Sequence, residues 1–241
     1  MKSFGTILRT MSYGIAIALV IIFLAIPAVI FIALPESWRL KCKFCFHVET
    51  FVYWLFIKSW FVPLTIVNQE GIPDRPVIFA ANHSSSIDVP LLGYVTRGRP
   101  HLWLAWYKLT RYPVLGYFIK KLAVLVDTSS PRKAVEALSE SARRIKESNR
   151  NLLIFPEGQR FNDGKVHDFF RGFAILARET DRPVVPVYLE NAAKVCPPRS
   201  LWIYYAPLRI VVGPEFSYQQ GESDKEFLDR VHSWFVQQAP Q

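Results

Sequence analysis

The chain has 241 residues, 51% apolar and 15% aromatic, which suits one globular domain with an appendage and gives ample length to bury a core. A net charge of +9 asks for an anionic partner, and since no zinc finger, RRM aromatic motif or helix-turn-helix pattern is present, nucleic acid is set aside in favour of an anionic lipid surface or a phosphorylated substrate. Three cysteines, odd and sparse, imply no disulfide framework and fit a reducing compartment.

The first element is an uncharged apolar run over 13–34, about 22 residues, enough at 1.5 Å per residue to cross a hydrocarbon layer of about 30 Å. It is too long for the core of a cleaved signal peptide, and Pro35 and Glu36 make a poor cleavage site, so the run is expected in the mature protein. A spanning helix and one arm of a hairpin dipping into a single leaflet both fit, and Pro27 could bend it. The next stretch, 44–64, is aromatic but interrupted by His47, Glu49 and Lys58, the pattern of an interfacial helix. Lys2 and Arg9 precede the apolar run and Arg39, Lys41 and Lys43 follow it, a one-residue excess that favours a cytoplasmic catalytic part. Cys42, Cys45 and His47 have partial zinc-ligand spacing, but no second ligand pair follows, so buried or membrane-facing thiols are expected and no metal. The division expected is a membrane anchor over 1–64 and a catalytic domain over 65–241.

From there short β-rich runs alternate with helical ones. Strands are predicted at 77–81, 102–106, 122–126, 152–155, 184–188, 202–205 and 209–212, and helices at 88–96, 113–121, 131–148, 171–179 and 223–238. This alternation predicts an α/β domain with a sheet flanked by helices. The clearest helix is 131–148, with Ser130 as N-cap, Pro131 in the first turn and Ala134, Leu138, Ala142 and Ile145 on one face.

Two polar knots sit at strand ends. Asn82, His83, three serines (84–86), Ile87 and Asp88 follow the run 77–81. On an ideal helix, residues five apart lie about 140° apart around the axis, so His83 and Asp88 meet only if the chain turns between them. A strand ending at Ala81, a serine-rich corner and a helix starting near Asp88 supply that turn; Asp88 then fixes the imidazole tautomer and leaves the other nitrogen free to take a proton. The second knot, Pro156, Glu157, Gly158, Gln159 and Arg160, follows 152–155, at the strand end where open α/β sheets collect ligands. Arg160 offers paired N–H donors for a phosphate, and Gly158 allows close backbone approach; a plain polar turn is the competing reading.

The first knot matches NHxxxxD, and Phe155 through Arg160 matches FPEGxR; in motifs, order and a separation of about seventy residues the chain resembles the glycerolipid acyltransferases. Weaker blocks at 108–116 and 182–187 extend the similarity over 69–190. The resemblance implies a mixed sheet flanked by helices behind an N-terminal helical membrane anchor. It further implies transfer of an acyl chain from acyl-CoA or acyl carrier protein to the sn-2 hydroxyl of lysophosphatidate, giving phosphatidate, with no cofactor, at a membrane, expected to be a bacterial inner membrane. His83 would be the base and Asp88 its orienter, Lys108 and Arg160 the phosphate cations, with Glu157 and Gly158 shaping the loop. Two positions depart from the family: the residue after Lys108, usually acidic, is Leu109, and the residue after Asp127, commonly basic, is Thr128. Both fall where headgroup contacts are expected, so a same-family enzyme with another lysolipid or a non-phosphate acceptor is the nearest alternative. A non-catalytic, basic, membrane-anchored binding protein and a hydrolase using water at the same base complete the alternatives; no Gly-x-Ser-x-Gly elbow surrounds the serines.

Overall fold

The computed structural model describes residues 2–35, 38, 42–112, 116–117, 119–120, 123–126, 131–161 and 163–239. The elements, in chain order, are α1 (Phe4–Ala33), α2 (Lys43–Ser59), β1 (Leu64–Val67), β2 (Ile78–Ala81), α3 (Asp88–Val95), β3 (His101–Trp106), β4 (Ala123–Val126), α4 (Pro131–Ser148), β5 (Asn151–Ile154), α5 (Arg171–Thr180), β6 (Val184–Glu190), α6 (Ala192–Val195), β7 (Leu208–Val212) and α7 (Asp224–Gln238).

The strands form one sheet in the order β1-β7-β6-β2-β5-β3-β4. All neighbours are parallel except β6 and β7, which pair antiparallel, so the sheet is mixed. β2 lies between β6 and β5 and is buried at every residue, as a strand covered on both faces must be. Its side chains alternate with the pleat. Phe79 and Ala81 face a layer holding Ile57 and Trp60 at the end of α2 and Leu91, Leu92 and Val95 of α3. Ile78 and Ala80 face the opposite layer, where Leu138, Ala142 and Ile145 of α4, Phe173 and Leu176 of α5 and Phe227 and Phe235 of α7 pack. Each fully buried Leu, Ile or Phe contributes on the order of 1.5–3 kcal/mol of transfer free energy, so both layers hold the central strand in place. The start of α7 is fixed by a capping box in which Ser223 and Glu226 satisfy each other's backbone N–H.

α1 and α2 make a helical hairpin. Tyr13 near the start of α1 meets Phe56 and Trp60 near the end of α2 in edge-to-face contacts at 5.5 and 5.9 Å. The first half of α1 and the residues before it are also tied to the segment 203–205: the Thr10 hydroxyl accepts the N–H of Ile203 at 3.0 Å, Lys2 reaches the Tyr204 hydroxyl, and the Arg9 guanidinium stands 5.0 Å from the Tyr205 ring. Beyond Ala16 no described side chain of α1 is buried.

Several expectations are corrected. The strand expected at 202–205 is irregular, because its donors go elsewhere: Ile203 N–H to α1, Tyr204 N–H to the carbonyl of Val195. An unexpected edge strand, β1, pairs with β7 just after Pro63. Cys42 and Cys45 are joined as a disulfide rather than remaining thiols; three residues apart at a helix start, their Cα atoms are 5.5 Å apart, within bridging range. The helix expected at 113–121 lies largely outside the described residues, and Ser130, Asp127 and Thr128 lie wholly outside them.

Candidate active site

β2 delivers Asn82 and His83 at its carboxyl end. Asn82 continues the ladder with its side chain after the backbone turns away: its amide nitrogen donates to the Leu189 carbonyl at 3.1 Å and its oxygen accepts the Leu189 N–H at 2.7 Å. His83 is thereby held at a fixed height above the sheet. The chain then bends through the serines into α3, whose first residue is Asp88.

The bend brings His83 and Asp88 together, with Nδ1 and Oδ2 2.8 Å apart. The same carboxylate oxygen accepts the backbone N–H groups of Ser84 and Ser85, each at 2.7 Å, and Asp88 is fully buried. A carboxylate oxygen already accepting two N–H groups can only accept again, so it selects the imidazole tautomer with the proton on Nδ1 and leaves Nε2 unengaged by Asp88. The imidazole stacks on Phe155 at 3.9 Å and 13°, its side chain is 15% exposed, and its carbonyl accepts the Phe161 N–H at 2.9 Å. The ring is therefore held by Phe155 on its face and Asp88 at Nδ1, and His83 lines a cleft of about 240 Å³ together with Ser84, Glu157, Phe161 and Tyr188.

The second knot meets the first here. Glu157 Oε1 accepts the His83 backbone N–H at 3.3 Å. Burial pushes the Glu157 carboxyl up to about 8; the His83 N–H opposes this, while the charges of Asp88 and Asp163 add to it. Gly158 follows with φ +72°, a left-handed conformation that glycine adopts without penalty, and this turns the loop back over the sheet edge. Among the serines, the Ser85 hydroxyl donates to the Cys196 carbonyl and the Ser86 hydroxyl lies 3.6 Å from the Cys196 sulfur.

The expected residues are only partly assembled. His83, Asp88, Glu157 and Gly158 converge, whereas Arg160 is exposed beside the lining residue Phe161 and does not itself line the cleft. Lys108 is exposed on a 3₁₀ turn beyond β3, its ammonium 4.3 Å from the centre of the Trp106 ring. The cleft's own cations are Lys165 and Lys194, neither of which belongs to a motif block. Asn82 and Phe155, which open the two motifs, are structural members of the site: Asn82 bonds to Leu189 and Phe155 stacks on His83. Among the described residues no group of three His, Cys, Asp or Glu side chains could hold a metal ion.

Residues 63–190, more than half of the chain and including His83, Asp88, Glu157 and Gly158, match the model of the Acyltransferase family. The chain belongs to the acyltransferase family. It is 28% identical over 183 residues to a 1-acyl-sn-glycerol-3-phosphate acyltransferase of Cocos nucifera, covering 74% of its own length and 58% of that protein. To the enzyme of the same name from Limnanthes alba it is 28% identical over 187 residues, covering 74% and 64%. The chain thus spans less than two thirds of the length of either relative. Its fold is that of the crystal structure of the 1-acyl-sn-glycerophosphate (LPA) acyltransferase PlsC from Thermotoga maritima, with a TM-score of 0.74 at 24% identity over 97% of this chain and 94% of that one.

Proposed function

We propose that the chain is a 1-acyl-sn-glycerol-3-phosphate acyltransferase, which moves an acyl group from acyl-CoA or acyl carrier protein to the sn-2 hydroxyl of lysophosphatidate and so makes phosphatidate. The observation that carries this reading is the His83–Asp88 pair at 2.8 Å, with His83 lining a cleft at the carboxyl ends of parallel strands. Nε2 takes the proton of the acceptor hydroxyl as its oxygen attacks the thioester carbonyl; the tetrahedral intermediate collapses, the C–S bond breaks and the proton passes to the departing thiolate. A thiolate leaves readily, so no acyl-enzyme is needed, and the engagement of the Ser85 and Ser86 side chains with Cys196 supports direct transfer. Asp88 holds the tautomer and stabilises the imidazolium as it forms.

The apolar hairpin supports a membrane location. The basic residues after the apolar run, together with a donor that is a cytoplasmic thioester, support the cytoplasmic face of a bacterial inner membrane, with anionic lipids beneath the basic chain. The anchor is assigned to 1–64 and catalysis to 65–241. A second reading, an acceptor other than lysophosphatidate, is favoured by the position of Lys108 over Trp106 and away from the cleft.

The test is transfer of a labelled acyl chain by the purified chain across a panel of lysolipids and glycerol phosphate, with both thioester donors. His83→Ala is expected to lower turnover by about two to four orders of magnitude while the melting temperature is kept. A wild-type chain that acylates none of these acceptors ends the proposal; acylation of a different lysolipid alone selects the second reading.

A further inference from the structure

The cleft around His83 contains charge that the motif residues do not account for. β5 and β6 pair with β2 on its two sides and run parallel to it, so the connections leaving their carboxyl ends emerge at the edge where His83 stands. The connection after β5 brings Lys165 to the cleft, and α6, which follows β6, brings Lys194. One lysine therefore approaches from each side of the base. Among the described residues neither ammonium has a carboxylate partner.

The acids nearby are otherwise engaged. Asp163, two residues before Lys165, binds the His167 ring at 2.9 Å and the Lys165 backbone N–H at 3.1 Å. Glu190, which lines the cleft, faces Arg209 at 3.5 Å. Glu157 is pushed up to about 8 by burial, so at neutral pH it adds little negative charge. Two uncompensated ammonium groups remain, flanking a base in a cleft that is otherwise lined largely by apolar and small side chains. Two flexible point charges on the connections that leave the strands either side of β2 suit a tetrahedral, doubly charged group that presents oxygens in several directions.

We propose that Lys165 and Lys194 bind, from the two sides of His83, a phosphate ester that a substrate carries into the cleft. The assignment rests on the acyl-transfer reading of that cleft and gives the phosphate two cations in place of Lys108. The same chemistry has two sources, the phosphate of the lysolipid acceptor and the phosphates of the CoA donor. Binding there sets the distance between phosphate and Nε2, and hence which hydroxyl or thioester is presented to the base.

The full chain in detergent is compared with Lys165→Ala, Lys194→Ala, the double alanine variant and the double arginine variant. Lysophosphatidate is varied at saturating acyl-CoA, then acyl-CoA at saturating lysophosphatidate. Removing both charges is expected to raise KM in one arm by roughly 10- to 100-fold, with kcat falling far less, and the arginine pair to recover most of the loss. A rise in the acceptor arm assigns the lysolipid phosphate; a rise in the donor arm assigns CoA. Unchanged KM in both arms overturns the proposal. Equilibrium binding of radiolabelled lysophosphatidate and of CoA is measured in parallel and needs no turnover. If the wild type transfers nothing, the acyl-transfer reading fails on its own, and the lysines are judged by binding: loss in the double alanine variant supports them and equal binding overturns them.

Discussion

Glu157 shows how a residue's surroundings can change what its type suggests. Its carboxyl has an ordinary value of 4.5 and is raised to about 8 by burial, which the nearby charge of Asp88 reinforces. Between those values the folded chain keeps a proton that the unfolded chain has lost, so stability falls as pH rises through this window and levels off above it. Glu157→Gln has no proton to lose and can still accept the His83 N–H. Its melting temperature, relative to wild type, is therefore expected to rise progressively between pH 5 and pH 8.5, as read by thermal scanning at steps of pH; a difference that stays flat would refute the burial account. The His83–Asp88 pair was legible in the sequence, because the strand, serine corner and helix start predicted there supply the turn that a five-residue spacing needs, and the motif match added to it. The raised carboxyl was not, since the packing that desolvates it comes from segments distant in sequence. Lys165 and Lys194 were hidden for a related reason: only the strand order places their two connections on either side of His83.

The seam between hairpin and sheet depends on one small residue. Gly93 on α3 lies beneath Tyr53 of α2, and a Cβ there would sit 2.2 Å from the ring edge. That ring cannot easily swing aside, because its hydroxyl donates to Glu49 at 2.5 Å, and Glu49 in turn faces the buried His101 of β3 at 3.5 Å. Gly93→Ala gains about 1 kcal/mol of helix propensity but, with its Cβ 2.2 Å from a ring that is held in place, overpacks the seam toward the upper end of the usual cost, about 2–3 kcal/mol. A net loss of about 1–2 kcal/mol in urea unfolding is expected, and adding Tyr53→Ala should remove the clash, making the pair non-additive. A Gly93→Ala chain as stable as wild type would show that the seam is looser than this contact requires. At this scale the sequence was readable wherever periodicity was strong, as at α4, whose limits follow from Pro131 and the spacing of Leu138, Ala142 and Ile145. It misled where the tertiary fold takes the backbone for another use. The aromatic run at 202–205 has strand composition, yet its N–H groups serve α1 and α6; β1 is a short edge strand that reads as the tail of the aromatic stretch before it.

For the whole molecule, the arrangement of the hairpin bears on how the chain meets a membrane. The apolar helix is long enough by composition to cross, being continuous over Phe4–Phe31. Its first half, however, is bound to the segment before β7 through Thr10 and Arg9 and to the end of α2 through Tyr13, leaving 17–33 free, about 25 Å at 1.5 Å per residue, against a hydrocarbon core of about 30 Å. α2 then returns beside it, carrying exposed Phe44 and Phe51 as well as His47 and Lys58, and delivers the chain to β1 on the side it left. An arm this short, followed by a return helix with charged interruptions, fits insertion into one leaflet better than two crossings. A cysteine placed at Pro35, in a chain whose Cys42 and Cys45 are replaced by serine and whose Cys196 is buried, reports the depth of the hairpin end. In sealed vesicles with the catalytic part outside, a membrane-impermeant maleimide trapped in the lumen is expected to leave this cysteine unlabelled until detergent is added. Labelling from the lumen would mean that the hairpin reaches the far surface, and the tie between α1 and the catalytic part would then have to open when the chain enters the bilayer.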